Sequence, residues 1–375
     1  MNWKIEGLKR VDGIFGKLAC SASRLIATPR ITQDTKSPKI LVIRPGGIGD
    51  AALLFPALKE LRGSYPESVI DVLAEKRNSG IFSLCPDINN IILYDNSPHS
   101  TLYSVIRGKY DIVIDTEQWH RLTSALAYMT GAPVRVGFQT SERAELYSHK
   151  VPFSQSDYEA RSFLNLASAV TGKEHEFEPD NPFVPIDSSG SEKIDSALSE
   201  FKKGKKALVG VFAGATVNER RWGAQNFGEV TKGLTDDGFG AVLLGGKVDL
   251  ENSSEIKSKS VSENVKDYTA KTTLAETAYI ISQLDLLISG DSGLMHIAYG
   301  VGTPTVALFG AGIEAKWAPA GKDHIAVNKH LSCSPCTKFG YTPSCPYNVK
   351  CLNEITVEEV LKEAIELLSR TRGKP

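Results

Sequence analysis

No apolar run in the 375 residues approaches the roughly 18 that a membrane span needs, and no signal-peptide core opens the chain. Charge of one sign is not in excess either. Lys and Arg number 43 against 44 Asp and Glu, a net charge of −1, which excludes a global electrostatic footprint for nucleic acid. Low-complexity tracts are absent, and 41% hydrophobic with 23% charged residues excludes global disorder. Two familiar nucleotide signatures are missing as well. The glycine-rich turn "RPGGIGD" (44–50) lacks the lysine and Ser/Thr of a Walker loop, and Gly46, Gly47 and Gly49 miss the G-x-G-x-x-G spacing. These absences predict a cytoplasmic protein of two ordinary domains.

What is present is alternation. After "KSPK" (36–39), the apolar runs "KILVIRP", "SVIDVLAE", "INNIILYD", "YDIVIDTE" and "PVRVGF" alternate with helix-length segments, and a longer helix follows at 158–170. Segment 174–191 has three prolines, several acids and no helical period, and reads as a linker. The alternation restarts with "KALVGVFAG", "FGAVLLGG", "VKDYTA", "DLLISGD" and "TPTVALFG". Strands alternating with helices imply βαβ units and a parallel sheet. The prediction is an α/β fold of two Rossmann-like, doubly wound domains facing a central cleft, at 38–180 and 190–353. Residues 354–375 hold a closing amphipathic helix, with Val357, Val360, Leu361, Ala364, Ile365 and Leu368 on one face.

Residues 1–37 form a basic extension. Lys4, Lys9, Arg10, Lys17, Arg24 and Arg30 outnumber Glu6 and Asp12, and Ile5, Leu8, Ile14, Phe15, Leu18, Leu25 and Ile26 recur at helical spacing. Such a helix either lies on an anionic membrane surface or packs on the body of the protein.

Ligands of open α/β sheets bind beyond the carboxyl ends of the strands. In the C-terminal half, "SGDSGLMH" places Asp291, Ser292 and Gly293 between a strand and a helix. Backbone N–H groups and a hydroxyl there suit a diphosphate, or Asp291 simply caps the helix. After that half's first strand, "FAGATVNERRW" supplies Thr216, Arg220 and Arg221, whose guanidinium groups suit a leaving diphosphate. Asp249 or Glu251 is a weaker candidate for a ribose contact. Asp50 is read two ways: as an N-cap, or as a carboxylate that takes a proton from a hydroxyl nucleophile. Gly46, Gly47 and Gly49 let a substrate approach the backbone. Cys333, Cys336, Cys345 and Cys351, spaced C-x2-C-x8-C-x5-C, match a zinc or iron–sulfur ligand set.

Three elements together resemble glycosyltransferase family 9, the lipopolysaccharide heptosyltransferases: "RPGGIGDAALLFPALKELR", "FAGATVNERRWGAQNFGEV" and "LISGDSGLMHIAYGVGTPTVALFG". The resemblance implies a GT-B fold, with the acceptor on the N-terminal domain, the nucleotide-sugar on the C-terminal one, and the closing helix crossing back to the first. It also implies inverting transfer that requires no metal cofactor, with ADP-heptose as donor and a lipid-anchored saccharide as acceptor at the inner membrane face. Asp50 then falls on the general base and Arg220 on the basic residue at the donor phosphates. Thr216, Asp291, Ser292 and Gly293 fall on donor loops, and His296 on the helix that follows. The cysteines become a structural clip on loop 333–351. Arg220 stands where the family usually has lysine, and Gly223 where it has proline. Acceptor choice is assigned to loops such as 119–121 and 139–143. The alternatives are a nucleotide-sugar epimerase of the same fold, a nicotinamide-dependent oxidoreductase and a non-catalytic binding module.

Overall fold

The apolar runs become strands buried on both faces, as parallel sheets require. In the computed structural model, which describes residues 3–26, 30, 36–338 and 340–372, the chain divides into two units, 1–177 and 178–375. The side chains of residues 3–11, 26, 262 and 372 lie outside that description, and with them Ile5, Leu8 and Ile26.

The first unit carries β1 (Ile40–Ile43), β2 (Ile70–Ala74), β3 (Asn90–Leu93), β4 (Ile112–Asp115), β5 (Val134–Phe138) and β6 (His149–Val151), all parallel, in the order β3-β2-β1-β4-β5-β6. Ile40 lies opposite Ile70 on one side and Ile112 on the other. The second unit carries β7 (Leu208–Phe212), β8 (Gly240–Leu243), β9 (Val265–Asp267), β10 (Leu286–Gly290), β11 (Thr305–Phe309) and β12 (His324–Asn328), in the order β12-β11-β10-β7-β8-β9. Both sheets therefore share one topology. The strand order reverses between β1 and β4 in the first and between β7 and β10 in the second, the switch points where such sheets hold ligands.

Several expectations are corrected. Two strands were not anticipated: β6 is three residues long with two of them exposed, and β12 is only half-buried. The helix-length segment between the first two apolar runs is two helices, Ile48–Leu53 and Phe55–Ser64, with Pro56 near the start of the second. The expected linker is largely built into the second unit: Phe183 and Val184 N–H donate to the Gly300 carbonyl, and Tyr299 hydroxyl donates to the Pro179 carbonyl. A helix follows at Glu192–Lys202. The closing helix, Val357–Arg372, places Val360, Ala364, Leu367 and Leu368 in the second unit's core against the helix Ala224–Asp236. The N-terminal helix, Trp3–Ile26, packs on the helix Arg121–Met129.

One buried charge pair organises the first unit's carboxyl edge. Arg143 and Asp115 are both fully buried with their charges 2.7 Å apart, and Tyr147 hydroxyl donates to the same carboxylate at 2.7 Å. Burial and Asp115 push the Tyr147 hydroxyl well above its ordinary range, so it stays a donor. Gly137 is required on β5 because a Cβ there would sit 2.3 Å from the Tyr147 ring. Arg143 also donates to the Glu117 carbonyl, tying the loop after β4 to the segment 142–146. It is thus spent on structure, not on an acceptor as the sequence suggested for loop 139–143. Arg143→Met strands a buried carboxylate and is expected to cost about 3–5 kcal/mol. Urea unfolding measures it; a loss under about 1 kcal/mol would show that Tyr147 alone satisfies Asp115.

Candidate active site

In the first unit the switch point is built on a second buried arginine. Arg44 follows β1 directly, and its Nη2 lies 3.4 Å from Asp50 Oδ2 and 3.2 Å from Glu117 Oε1. Burial pulls the guanidinium down, but Glu117, Asp50, Glu159 and Glu75 outweigh it and hold Arg44 above its ordinary value. The Phe163 ring covers it, 5.5 Å from Cζ, and Asn78 Nδ2 donates to its carbonyl at 3.0 Å.

Asp50 is not an N-cap. Gly47 holds that position, and Asp50 lies inside the first turn of the helix Ile48–Leu53 with no capping bond, its side chain 29% exposed. The carboxylate is therefore neither buried nor used by the backbone; Arg44 orients it. The three glycines differ in role. Gly46 has φ +115°, and a Cβ there would sit 2.8 Å from Arg44 Nη2, whereas nothing lies within 4 Å of one at Gly47. Gly46 makes room for the protein's own guanidinium. Gly49 is buried in the helix.

In the second unit the loops after β7, β10 and β11 converge. Arg220 Nη1 lies 2.9 Å from Asp291 Oδ2, and the Trp317 ring lies 5.3 Å from the same guanidinium. Asp291 is not the cap here either. Ser292 is, with its hydroxyl accepting from Met295 N–H at 3.3 Å and bonded to Ser289 at 2.8 Å. Gly293 opens the helix Gly293–Gly300, in which His296 is buried. Gly312 is constrained as Gly46 is, since a Cβ there would meet Asp291 Oδ2 at 2.0 Å.

Thr216 is exposed on its loop. Arg221 clamps that loop from outside, its Nε and Nη2 donating to the Ala215 carbonyl at 3.0 and 2.8 Å. Asp249 approaches Gly214, but its carboxylate accepts from Gly246 N–H at 2.9 Å and shapes its own turn. Glu251 is exposed on the helix Leu250–Ser258.

Sequence reasoning passed over Arg44, Glu117, Lys316 and Trp317. Lys316 is buried, with its ammonium 5.9 Å from the Trp317 ring. All four lie just beyond strands β1, β4 and β11, which was the available signal.

Among the described residues no group of His, Cys, Asp and Glu is arranged to hold a metal, and all six thiols are free. Burial pushes the Cys336 and Cys351 thiols up, and the neighbouring thiols of the cluster act in the same direction. The Cys345 sulfur accepts from Val349 N–H at 3.3 Å, and Cys351 packs in the second unit's core. Loop 333–351 is clipped instead by backbone bonds, Cys336 and Thr337 N–H both donating to the Ala311 carbonyl.

Known proteins agree with this architecture. Lipopolysaccharide heptosyltransferase 2 of Escherichia coli (strain K12) is 25% identical over 288 residues, covering 72% of this chain and 82% of that protein. The solved structure of E. coli ADP-heptose lps heptosyltransferase II is 23% identical with a TM-score of 0.70, over 89% of this chain and all of that one. E. coli heptosyltransferase WaaC with ADP-2-deoxy-2-fluoro heptose is 17% identical with a TM-score of 0.65, over 88% and 99%. The structural likenesses establish a shared fold, of GT-B type. The family model for glycosyltransferase family 9 (heptosyltransferase) matches residues 100–343, and with its two charged switch points this chain belongs to that family and is a glycosyltransferase.

Proposed function

We propose that this enzyme moves a heptose from ADP-heptose onto a saccharide of the lipopolysaccharide core, with inversion at the anomeric carbon, at a membrane surface where that acceptor is anchored. The reading draws its substrates from relatives named as lipopolysaccharide heptosyltransferases and from a neighbour solved with an ADP-heptose analogue. The observation that carries it is Asp50, an uncapped, part-exposed carboxylate at the first unit's switch point, held from behind by Arg44.

In this assignment the acceptor belongs to the first unit and the donor to the second. Asp50 takes the proton of the acceptor hydroxyl as its oxygen attacks the anomeric carbon from the face opposite the diphosphate. The new C–O bond forms as the bond to the diphosphate breaks, and ADP leaves with the electron pair. Arg220 carries the counter-charge for the diphosphate, and Lys316 lies near the same Trp317 ring. Thr216, Ser292, Gly293 and the start of the following helix border the phosphates. Arg221 acts through its loop, and His296 packs behind the helix. The cysteines have no part in the reaction.

Asp50→Asn keeps the shape and removes the base. Turnover is expected to fall about 10²–10⁴-fold, while the thermal shift given by ADP stays unchanged. Retained turnover would sink the base assignment; a lost ADP shift would move Asp50 to donor binding. Gly46→Ala pushes a methyl against Arg44 at a positive φ. It is expected to lower unfolding free energy by about 1–3 kcal/mol and to reduce turnover, while Gly47→Ala costs at most about 1 kcal/mol. Urea melts and single-turnover rates compare the two. Equal losses would show that Gly46 does not serve Arg44.

A further inference from the structure

The N-terminal helix is amphipathic with its faces reversed. A surface helix ordinarily buries its apolar stripe on the body of the protein. Here the side turned inward is small and polar. Asp12 accepts from Leu122 N–H at 2.7 Å, Cys20 bonds Ser124 at 3.6 Å, and Ser23 is buried. Gly16 permits the close approach, since a Cβ there would lie 2.8 Å from Arg121 Cβ. Arg24 pairs with Glu145 across the same contact. Ile14, Leu18 and Leu25, at i, i+4 and i+11, share the opposite face with Phe15 beside them, and they are 72%, 67%, 89% and 54% exposed. Lys17 lies along one edge of this stripe, 72% exposed at its side chain and 4.0 Å from Glu142.

Exposing four large apolar side chains on one helix costs solubility and gives nothing back unless something covers them. A stripe one helix wide offers at most roughly a few hundred Å², well short of the ~1,200 Å² of a specific dimer. The charge favours an anionic partner. The helix carries Lys4, Lys9, Arg10, Lys17 and Arg24 against Glu6 and Asp12, five minus two or +3, in a chain whose net charge is −1. Asp12 is turned inward, which removes it from the outer surface.

We infer that this helix docks the enzyme on an anionic lipid bilayer, Ile14, Phe15, Leu18 and Leu25 entering the headgroup–acyl boundary while Asp12, Gly16, Cys20 and Ser23 hold the first unit. The inference rests on the lipid-anchored acceptor proposed above and names the surface that meets the lipid. Docking through a helix fixed to the acceptor unit places that unit's switch point in a set relation to the membrane, which a flexible tether would not do.

The test is flotation of the full chain with vesicles of equal parts phosphatidylethanolamine and phosphatidylglycerol, beside vesicles of phosphatidylcholine alone. The wild type is expected to float with the anionic vesicles, less so as salt rises, and poorly with the neutral ones. Leu18→Glu/Leu25→Glu, at two exposed positions, is expected to lower the partition coefficient about a hundredfold with unchanged unfolding and unchanged transfer to a lipid-free acceptor saccharide. A wild type that does not float overturns the inference, as does a double variant that floats equally well. So does a wild-type dimer by light scattering that the variant breaks, because a second copy would then cover the stripe. Flotation without sugar transfer by either protein would sink the functional proposal and leave the docking intact.

Discussion

The loops that carry the chemistry depend on arginines that pair with carboxylates where parallel strands end. A parallel sheet directs all its strands to one edge, and the loops beyond that edge have no ladder to fix them. In this enzyme a guanidinium group supplies what the ladder does not. Arg44 ties the loop after β1 to that after β4 through Glu117 and reaches Asp50 on the way. Arg143 ties Asp115 at the end of β4 to the segment after β5. Arg220, after β7, holds Asp291 after β10. Arginine suits this task because its planar fork spans two acceptors and stays charged when buried. The cost is that each pair must remain complete, since one partner alone is an uncompensated buried charge.

That constraint explains glycines that look like substrate clearance. Gly46 and Gly312 lie where a Cβ would strike Arg44 or Asp291, and so belong to the ion pairs rather than to a ligand. Gly214 gives way in the same manner to Asp249 from the neighbouring loop. The turn "RPGGIGD" is glycine-rich because an arginine at its start folds back beneath it. Arg44 is the first residue of that motif, and Asp50, the last, is the group it orients.

Most of the architecture was legible because buried parallel strands write continuous apolar runs, as Ile40–Ile43, Leu208–Phe212 and Thr305–Phe309 do. β6 was not, since His149–Val151 is a three-residue edge strand with two exposed side chains, and β12 was not, since it is only half-buried along its length. Asp50, Arg220 and Asp291 were legible by position, each just beyond a strand. Glu117 was not, because it is 73 residues from Arg44 in sequence and only the pairing of β1 with β4 brings the two together. The cysteine spacing matches a ligand set, and of the four thiols Cys351 packs in the second unit's core. The N-terminal helix was legible as amphipathic, yet periodicity alone is silent on which face meets the protein. Asp12 settles that by capping the helix Arg121–Met129 from the polar side.

The two units have one topology and opposite electrostatics, and that difference is what divides their labour. At the first switch point Arg44 stands among Glu117, Asp50, Glu159 and Glu75, with Arg77 pairing Glu75 from outside. An incoming diphosphate would be repelled there, while a neutral hydroxyl would meet a carboxylate able to accept its proton. At the second, Arg220 and Lys316 both lie near the Trp317 ring, with Asp291 as the carboxylate between loops. A base placed there would be idle, while an anion would find fixed charge shielded from water, where it acts most strongly. Duplication of a fold supplies two ligand-binding edges of the same shape. In the proposed reaction, the loops after β1 and β4 serve the proton and those after β7, β10 and β11 the diphosphate.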